Sequence, residues 1–160
     1  MSTSLRQRAL AALEAVTDPE IPVLTIADLG ILRDVSLCGD TVEVTITPTY
    51  SGCPAMNMIA LEIETALARA GIKAHIRTSL SPAWTTDWLT DAARRKLAAF
   101  GIAPPGHVTS RRALFGEAHP ACPLCGSADT EQISEFGSTA CKSLHRCRTC
   151  REPFDAFKCH

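Results

Sequence analysis

The sequence contains no uninterrupted apolar run of membrane-spanning length, although 46% of its 160 residues are hydrophobic. A transmembrane helix needs about 20 consecutive apolar residues, so the composition predicts a soluble protein. Residues 1–8 are largely polar, and no apolar stretch of the signal-peptide type follows them. We therefore expect the chain in the reducing cytoplasm rather than in a secreted, disulfide-bonded state.

A dominant charge is also missing, because 16 basic and 17 acidic side chains give a net charge of -1. No global field therefore favours nucleic acid as a partner. The sequence shows no internal repeat, no Gly-rich phosphate loop and no nucleophilic triad. His75 is the histidine nearest to Cys53 in the same predicted domain, and it is expected to face solvent on a strand.

Cysteine is abundant but unevenly distributed, since six of the eight cysteines lie in the last 39 residues. Four of them form two C-x2-C pairs, Cys122/Cys125 and Cys147/Cys150. Two such pairs brought together make a tetrahedral sulfur site, and the spacing is close to that of a zinc ribbon. The sequence therefore predicts a structural zinc ion held by four cysteines. Disulfides of a secreted module are the less favoured alternative.

The same tail carries further candidate ligands. Cys141 and Cys159 are candidates for packing the ribbon, for a second metal site or for ligand exchange with Cys53, and packing is favoured. His145 could replace a cysteine, but four-cysteine ligation is preferred because both C-x2-C loops are intact. A module of about 40 residues has too little core to fold alone, so metal should supply much of its stability.

Hydrophobic periodicity predicts helix, two strands, helix, strand and helix over residues 1–103. One amphipathic sheet face covered by helices gives a two-layer α+β domain. Trp84 and Trp88 are predicted four residues apart on the last helix, with core packing as their favoured role. Residues 104–119 are predicted to be a linker with one strand around Val108–Leu114, and residues 120–160 a zinc-ribbon-like domain.

Cys53 is predicted where a strand passes into a helix, with Pro54 suited to the first helical turn. The helix macrodipole and unpaired backbone N–H groups both lower the pKa of a thiol at such a position. The position predicts an exposed, nucleophilic or metal-binding sulfur. A small buried hydrophobe is an equally weighted alternative on physical grounds.

Three acidic residues, Asp18, Glu20 and Asp28, lie in loops that could converge on the same end of the sheet. Nearby carboxylates would raise the pKa of the Cys53 thiol and oppose the dipole. They could equally serve as hard ligands or as hydrogen-bond acceptors that shape the site. Taken singly, turn and cap roles are favoured for Asp18 and Asp28.

Several motifs occur in the order found in a known family. Three motifs resemble the small domain of iron–sulfur assembly factors, including the bacterial SufT proteins. They are Asp18-Pro19-Glu20-Ile21-Pro22, Asp28-Leu29-Gly30 and Thr47-Pro48-Thr49-Tyr50-Ser51-Gly52-Cys53-Pro54. Further stretches resemble the PaaD family, the D components of bacterial phenylacetyl-CoA epoxidase systems. These stretches are residues 82–88, 101–105, 136–142 and 152–159.

The resemblance implies a place in aerobic phenylacetate breakdown, in a system that epoxidises the aromatic ring of phenylacetyl-CoA. It implies an oxygenase subunit with a di-iron centre and a reductase subunit with an iron–sulfur cluster and flavin. The D component would be an accessory protein that assembles or maintains a metal centre in those partners, without being catalytic itself. The family's reactive cysteine corresponds to Cys53, and the supporting positions are Asp18, Glu20, Asp28, Thr47 and Ser51.

One cysteine cannot close a four-ligand site. A transient iron ion or iron–sulfur cluster at Cys53 would need Cys53 of a second copy, a ligand from the tail or a partner's thiolate. A homodimer or a transient complex with the oxygenase and reductase subunits is therefore expected. The alternatives are a docking or structural subunit, in which Cys53 does no chemistry, and a thiol-redox enzyme. The absence of a second cysteine near Cys53 in the sequence counts against the redox enzyme.

Overall fold

The structure is a computed structural model that describes residues 4–106 and 119–158. The predicted strand around Val108–Leu114, most of the predicted linker and Cys159 lie outside the described residues. Internal contacts divide the chain into two compact units, Met1–Trp84 and Thr85–His160. In the described part of the chain, no helix combines the length and the hydropathy that crossing a membrane requires.

The first unit has the predicted order of helix, two strands, helix and strand. Ser4 caps the first helix through a capping box with Gln7. The strands form one sheet in the order β1-β2-β3, with β1 and β2 antiparallel and β2 and β3 parallel. The elements are α1 (Leu5–Leu13), β1 (Leu32–Cys38), β2 (Thr41–Ile46), α2 (Ala55–Arg69) and β3 (Ala74–Thr78).

The core of the first unit follows the two sequence periods. On β2, Val42, Val44 and Ile46 are fully buried, while the alternate residues are partly exposed. On α2, the buried positions recur every four residues at Ala55, Ile59, Ile63 and Leu67. Because α2 is the crossover between the parallel strands β2 and β3, the loop that precedes it lies at the carboxyl end of β2.

Trp84 is hydrogen-bonded to the loop that contains Asp28 and Leu29. Its side chain is buried, and its Nε1–H donates to the Leu29 carbonyl oxygen at 2.8 Å. The core role predicted for Trp84 is confirmed, but its predicted position on a helix with Trp88 is wrong. Thr85 caps a short 3-10 turn at Thr86–Trp88, and the extended Leu89 separates that turn from the next helix.

The second unit contains α3 (Asp91–Ala99), which begins at the capping residue Thr90, and a four-stranded sheet. The sheet order is β4-β7-β6-β5, with antiparallel pairs β5–β6 and β6–β7 and a short parallel pair β4–β7. The strands are β4 (Ile102–Ala103), β5 (Thr130–Ser134), β6 (Lys142–Cys147) and β7 (Pro153–Phe157).

The two units confirm the predicted α+β class. Contacts within the structure place α3 and β4 in the unit that contains the tail cysteines. The domain boundaries predicted from the sequence instead place both elements in the first domain, residues 1–103. Strand β4 pairs with β7 of the ribbon, which accounts for this grouping. The ranges 1–103, 104–119 and 120–160 stay a prediction about the domains.

Candidate functional site

Cys53 lies in the short loop between β2 and α2. Its backbone N–H donates to the Tyr50 carbonyl oxygen at 3.1 Å and closes a turn. Pro54 is the N-cap residue, and α2 begins at Ala55. The predicted position of Cys53 at a helix start is therefore confirmed, but its side chain is half-buried rather than exposed.

Burial raises the pKa of the Cys53 thiol above its ordinary value. The backbone N–H of Ala55 and the side chain of Thr49 hydrogen-bond to the sulfur and act to lower the pKa, whereas the charges of Glu20 and Asp18 raise it. The helix start does lower the pKa of Cys53, as expected, but burial and the two carboxylates outweigh this effect. Cys53 is therefore a neutral thiol at pH 7, and a metal ion that binds there must displace the proton.

Asp18 organises the acidic loop next to Cys53. Its buried carboxylate accepts the backbone N–H groups of Glu20 at 2.7 Å and Ile21 at 2.9 Å, and its own N–H donates to the Leu24 carbonyl oxygen at 2.9 Å. Asp18 thus has the predicted turn role, and it also acts on the sulfur through its charge. The structure brings together Asp18, Glu20 and Cys53, as the convergence of the loops predicts.

The third acidic residue, Asp28, is bound to its own loop. Its Oδ2 accepts the backbone N–H of Thr25 at 3.1 Å, and the Thr25 hydroxyl oxygen accepts the N–H of Asp28 at 3.0 Å. This reciprocal pair fits the cap role that the sequence favours for Asp28. A functional role for Asp28 stays a prediction.

The two threonines before Cys53 differ in what they contact. Thr47 is buried, and its backbone N–H donates to the Ile31 carbonyl oxygen at 2.9 Å. Thr49 is buried as well, and its side chain contacts the sulfur of Cys53. Sequence reasoning selects Thr47 and the exposed Ser51 as supporting residues and misses Thr49. The available signal was that Thr49, like Thr47, is a polar residue inside the motif that ends at Cys53.

The four paired cysteines of the tail come together in the second unit. Their sulfur atoms all lie within 4.8 Å of one another. The Sγ–Sγ distances are 3.7 Å between Cys122 and Cys150 and 3.5 Å between Cys125 and Cys147. Four thiolates at about 2.3 Å from one zinc ion would be about 3.8 Å apart in a tetrahedron. The donor set therefore fits one tetrahedral metal ion.

Matching backbone turns place the two pairs. The residue after each pair has a positive φ, 76° at Gly126 and 67° at Arg151. A hydroxyl–hydroxyl contact of 2.8 Å joins the two loops between Ser127 Oγ and Thr149 Oγ1. The contact between Ser127 and Thr149 thus helps to hold the two loops, and the sulfur atoms that they carry, close to one another.

Backbone donors act differently on the thiols of Cys147 and Cys150. The N–H groups of Cys150 and Thr149 lower the pKa of Cys147 to about 6. For Cys150 the N–H of Glu152 favours the thiolate, but desolvation and the neighbouring cysteines outweigh it and raise the pKa to about 12. One thiolate therefore forms readily, while others lose their protons only when a cation neutralises the crowded charge.

Two further tail residues lie outside the group of four sulfurs. Cys141 is buried, with its Sγ 3.1 Å from the hydroxyl of Thr139. His145 is buried, stacks on Phe154 with ring centroids 5.6 Å apart, and places Nε2 at 2.9 Å from the Ser143 hydroxyl. A ligand role for Cys141 stays a prediction, and Cys159 lies outside the described residues.

Known proteins match this chain in both units. Residues 6–76 match the family model described as iron–sulfur cluster assembly protein, and residues 107–158 match the PaaD zinc beta ribbon domain. A protein of Escherichia coli (strain K12), provisionally named as the D component of 1,2-phenylacetyl-CoA epoxidase, is 49% identical over 93% of this chain and 90% of its own length.

Other relatives resemble the first part of the chain. The Fe-S protein maturation auxiliary factor YitW of Bacillus subtilis (strain 168) is 34% identical over 59% of this chain and 94% of its own length. A crystal structure of a DUF59 domain of unknown function from Bacillus anthracis has a TM-score of 0.54 and 26% identity. It covers 57% of this chain and 90% of that domain's chain. The fold around Cys53 is therefore shared with proteins of that type.

Proposed function

This chain belongs to the family of 1,2-phenylacetyl-CoA epoxidase D components, and from that premise we propose that it is an accessory protein that assembles or maintains a metal centre in its partner subunits. The partners are the oxygenase and reductase subunits of the epoxidase. Cys53 holds the iron ion or iron–sulfur cluster in transit, as cargo rather than as a resident cofactor. Two relatives that are named Fe-S protein maturation auxiliary factors support this assignment.

The single observation that carries the proposal is the environment of the Cys53 sulfur. Burial and, to a smaller extent, the charges of Glu20 and Asp18 make a free thiolate unfavourable, so Cys53 is a poor nucleophile at neutral pH. A cation that replaces the thiol proton reverses the sign of that interaction, because it is attracted by the same carboxylates. The thiolate then keeps the donors from Ala55 and Thr49. The site thus favours metal-bound sulfur over free thiolate.

Delivery also requires that the cargo leaves. Within residues 4–106 and 119–158, the four tail cysteines are the one group of three or more side chains placed to bind a metal ion. Cys53 is not part of that group, and in this proposal ligands from a partner complete the coordination of its cargo. A site that is completed from outside is suited to transfer.

The four paired cysteines have a separate, structural role in this proposal. Four sulfur ligands leave no open position on a tetrahedral zinc ion, which is the arrangement of structural rather than catalytic zinc. When bound, zinc would join the loop before β5 to the loop between β6 and β7. We infer that the ribbon depends on zinc for much of its stability.

The proposal is tested by Cys53→Ser in cells that produce all epoxidase subunits. Iron is measured in the purified oxygenase and reductase subunits, and complex formation is followed by co-purification. Cys38→Ser is the matched control, because Cys38 is an exposed cysteine of the same unit at the end of β1. We expect the partners to lose iron in Cys53→Ser with the complex intact, and to keep it in Cys38→Ser.

Two results contradict the proposal. Full iron loading together with a broken complex would identify a docking subunit, in which Cys53 supports assembly of the complex rather than of a metal centre. Unaltered iron and an intact complex would remove Cys53 from both functions.

A further inference from the structure

The second unit contains a cavity of about 770 Å³ that the proposed function does not use. Its wall includes His119, Glu135, Ser143, His145 and Lys158. Ser143, His145 and Cys147 alternate along β6 and are all buried, so this wall continues the strand face that carries Cys147. The cavity nevertheless has its own polar groups, separate from the four sulfurs.

One ring nitrogen of His145 has a hydrogen-bond partner and the other has none among the described residues. Its side chain is only 3% exposed, and Nδ1 has no hydrogen-bond partner among the described residues. Buried polar atoms normally have a partner, and His145 lines the cavity, so its orphan nitrogen indicates a missing ligand.

The neighbouring Ser143 indicates which nitrogen carries the proton. The Ser143 hydroxyl donates to the Ala156 carbonyl oxygen at 3.4 Å, and its oxygen lies 2.9 Å from His145 Nε2. Since the single hydroxyl proton is used toward Ala156, Nε2–H is the donor to Ser143. Nδ1 is then the bare lone pair, and a neutral imidazole nitrogen of this kind is a common metal ligand.

The ring of His145 is also held in place. Phe154 stacks on it with an interplanar angle of 20°, and Ser143 fixes the second nitrogen. A hydrogen bond from the non-ligating N–H of a histidine is the usual support of a metal-binding imidazole.

His119 supplies a second imidazole. Its ring centroid lies 6.3 Å from that of His145, with the rings inclined at 68°. Because a metal ion lies about 2 Å from each ligating nitrogen, two rings on one ion have centroids about 5 to 6 Å apart. The side chain of His119 is exposed, so a small rotation toward the ion would displace little of the protein.

We propose that His145 Nδ1 and the His119 imidazole hold a divalent transition-metal ion in this cavity, at a second and open metal site. Water completes the coordination, because imidazole nitrogens and water are ligands that such an ion accepts. The ammonium group of Lys158 lies over the Phe136 ring at 4.0 Å, which directs this cation to an aromatic face. The inference is independent of Cys53 and of the epoxidase.

Cobalt titration of the tag-free, zinc-loaded full-length protein tests the site. We expect one further Co²⁺ to bind with visible bands of nitrogen and oxygen ligation and without a thiolate charge-transfer band. His119→Ala should weaken this binding by at least about tenfold. His75→Ala is the matched control, because His75 is an exposed histidine on β3 in the other unit, and it should leave the binding unchanged.

Long-range ¹H–¹⁵N spectra of the imidazoles give a readout that does not depend on a variant. We expect His145 as the Nε2–H tautomer, with Nδ1 shifted on addition of Zn²⁺ beyond the first equivalent. Three results would overturn the proposal: no Co²⁺ bound other than to thiolates, unchanged binding in His119→Ala, or a proton on His145 Nδ1.

Discussion

The side chain of Thr49 hydrogen-bonds to the sulfur of Cys53 across the loop that joins β2 to α2. Thr49 is buried, so water competes little for its hydroxyl. The bond acts with the Ala55 N–H to favour the thiolate, against burial and the charges of Glu20 and Asp18. Thr49 and Ala55 therefore offset part of the effect of burial and of the two carboxylates on the pKa of the thiol.

Thr49→Val removes the hydroxyl with little change in side-chain volume. The pKa of the Cys53 thiol should rise further, because the thiolate loses a donor. The smaller thiolate fraction should slow alkylation of Cys53 about severalfold at a fixed pH below the pKa, because the thiolate is the nucleophile. Alkylation is followed by mass spectrometry between pH 7 and pH 9. Thr45→Val, at a partly exposed position of β2, is the control, and an equal rate in Thr49→Val and wild type would refute the role of Thr49.

Glu20→Gln should have the opposite effect on the same thiol. Removing the carboxylate charge lowers the pKa of Cys53, so the thiolate fraction at a fixed pH below the pKa increases and alkylation becomes faster. Burial is the largest cause of the raised pKa, so the rate should rise without reaching that of a thiol with an ordinary pKa. Added salt should reduce the difference between variant and wild type, because Glu20 is partly exposed. A difference that persists undiminished at high salt would argue against a charge effect.

The four-cysteine group predicts about one zinc ion per chain and a zinc-dependent ribbon. Chelation should abolish the β5–β6–β7 sheet signal while the first unit stays folded, as followed by amide NMR. Cys125→Ser should lose zinc, although Cys125 is exposed and outside the apolar core. Cys141→Ser should keep zinc, because Cys141 lies outside the group of four sulfurs. Iron in place of zinc in anaerobically purified protein would overturn the metal assignment, since four thiolates accept either ion.

Gly137 lies against the Asp155 carboxylate, and a methyl group added at Gly137 would overlap with a carboxylate oxygen. Asp155 accepts the Ser138 hydroxyl at 2.6 Å and pairs with the buried Lys142, whose Nζ is 3.8 Å away. Gly137→Ala should therefore destabilise the second unit by about 1 to 3 kcal/mol.

Denaturant unfolding of the zinc-loaded protein measures the effect of Gly137→Ala. Gly106→Ala is the matched control, because an added methyl at Gly106 meets no atom of the described residues within 4 Å. Equal stability of the two variants would show that Asp155 can move away at little cost.

Sequence patterns predicted the elements of the first unit and the sulfur group because both depend on local spacing. The buried residues of β2 and α2 follow periods that the sequence displays directly. Each C-x2-C pair is set by one short turn, so the pairing of the four sulfurs needed only the approach of two loops. The tryptophan pair shows the limit: Trp84 and Trp88 have helical spacing, but Thr85 and Thr90 each cap a separate element.

The pKa of Cys53 could not be predicted in the same way. The helix start is visible in the sequence, and its lowering effect is present. Burial of the sulfur, and the approach of Glu20 and Asp18 from a loop more than 30 residues earlier in the chain, depend on the folded structure. The balance among these opposing effects decides how readily the Cys53 thiol loses its proton, and in the structure the effects that keep it protonated prevail.

The most direct test of the central claim compares iron per oxygenase and per reductase subunit, purified from cells carrying either Cys53→Ser or Cys38→Ser. The account predicts a severalfold loss of iron in at least one partner for Cys53→Ser, with wild-type zinc in this chain and an intact complex. Equal iron in the partners from both strains would contradict it.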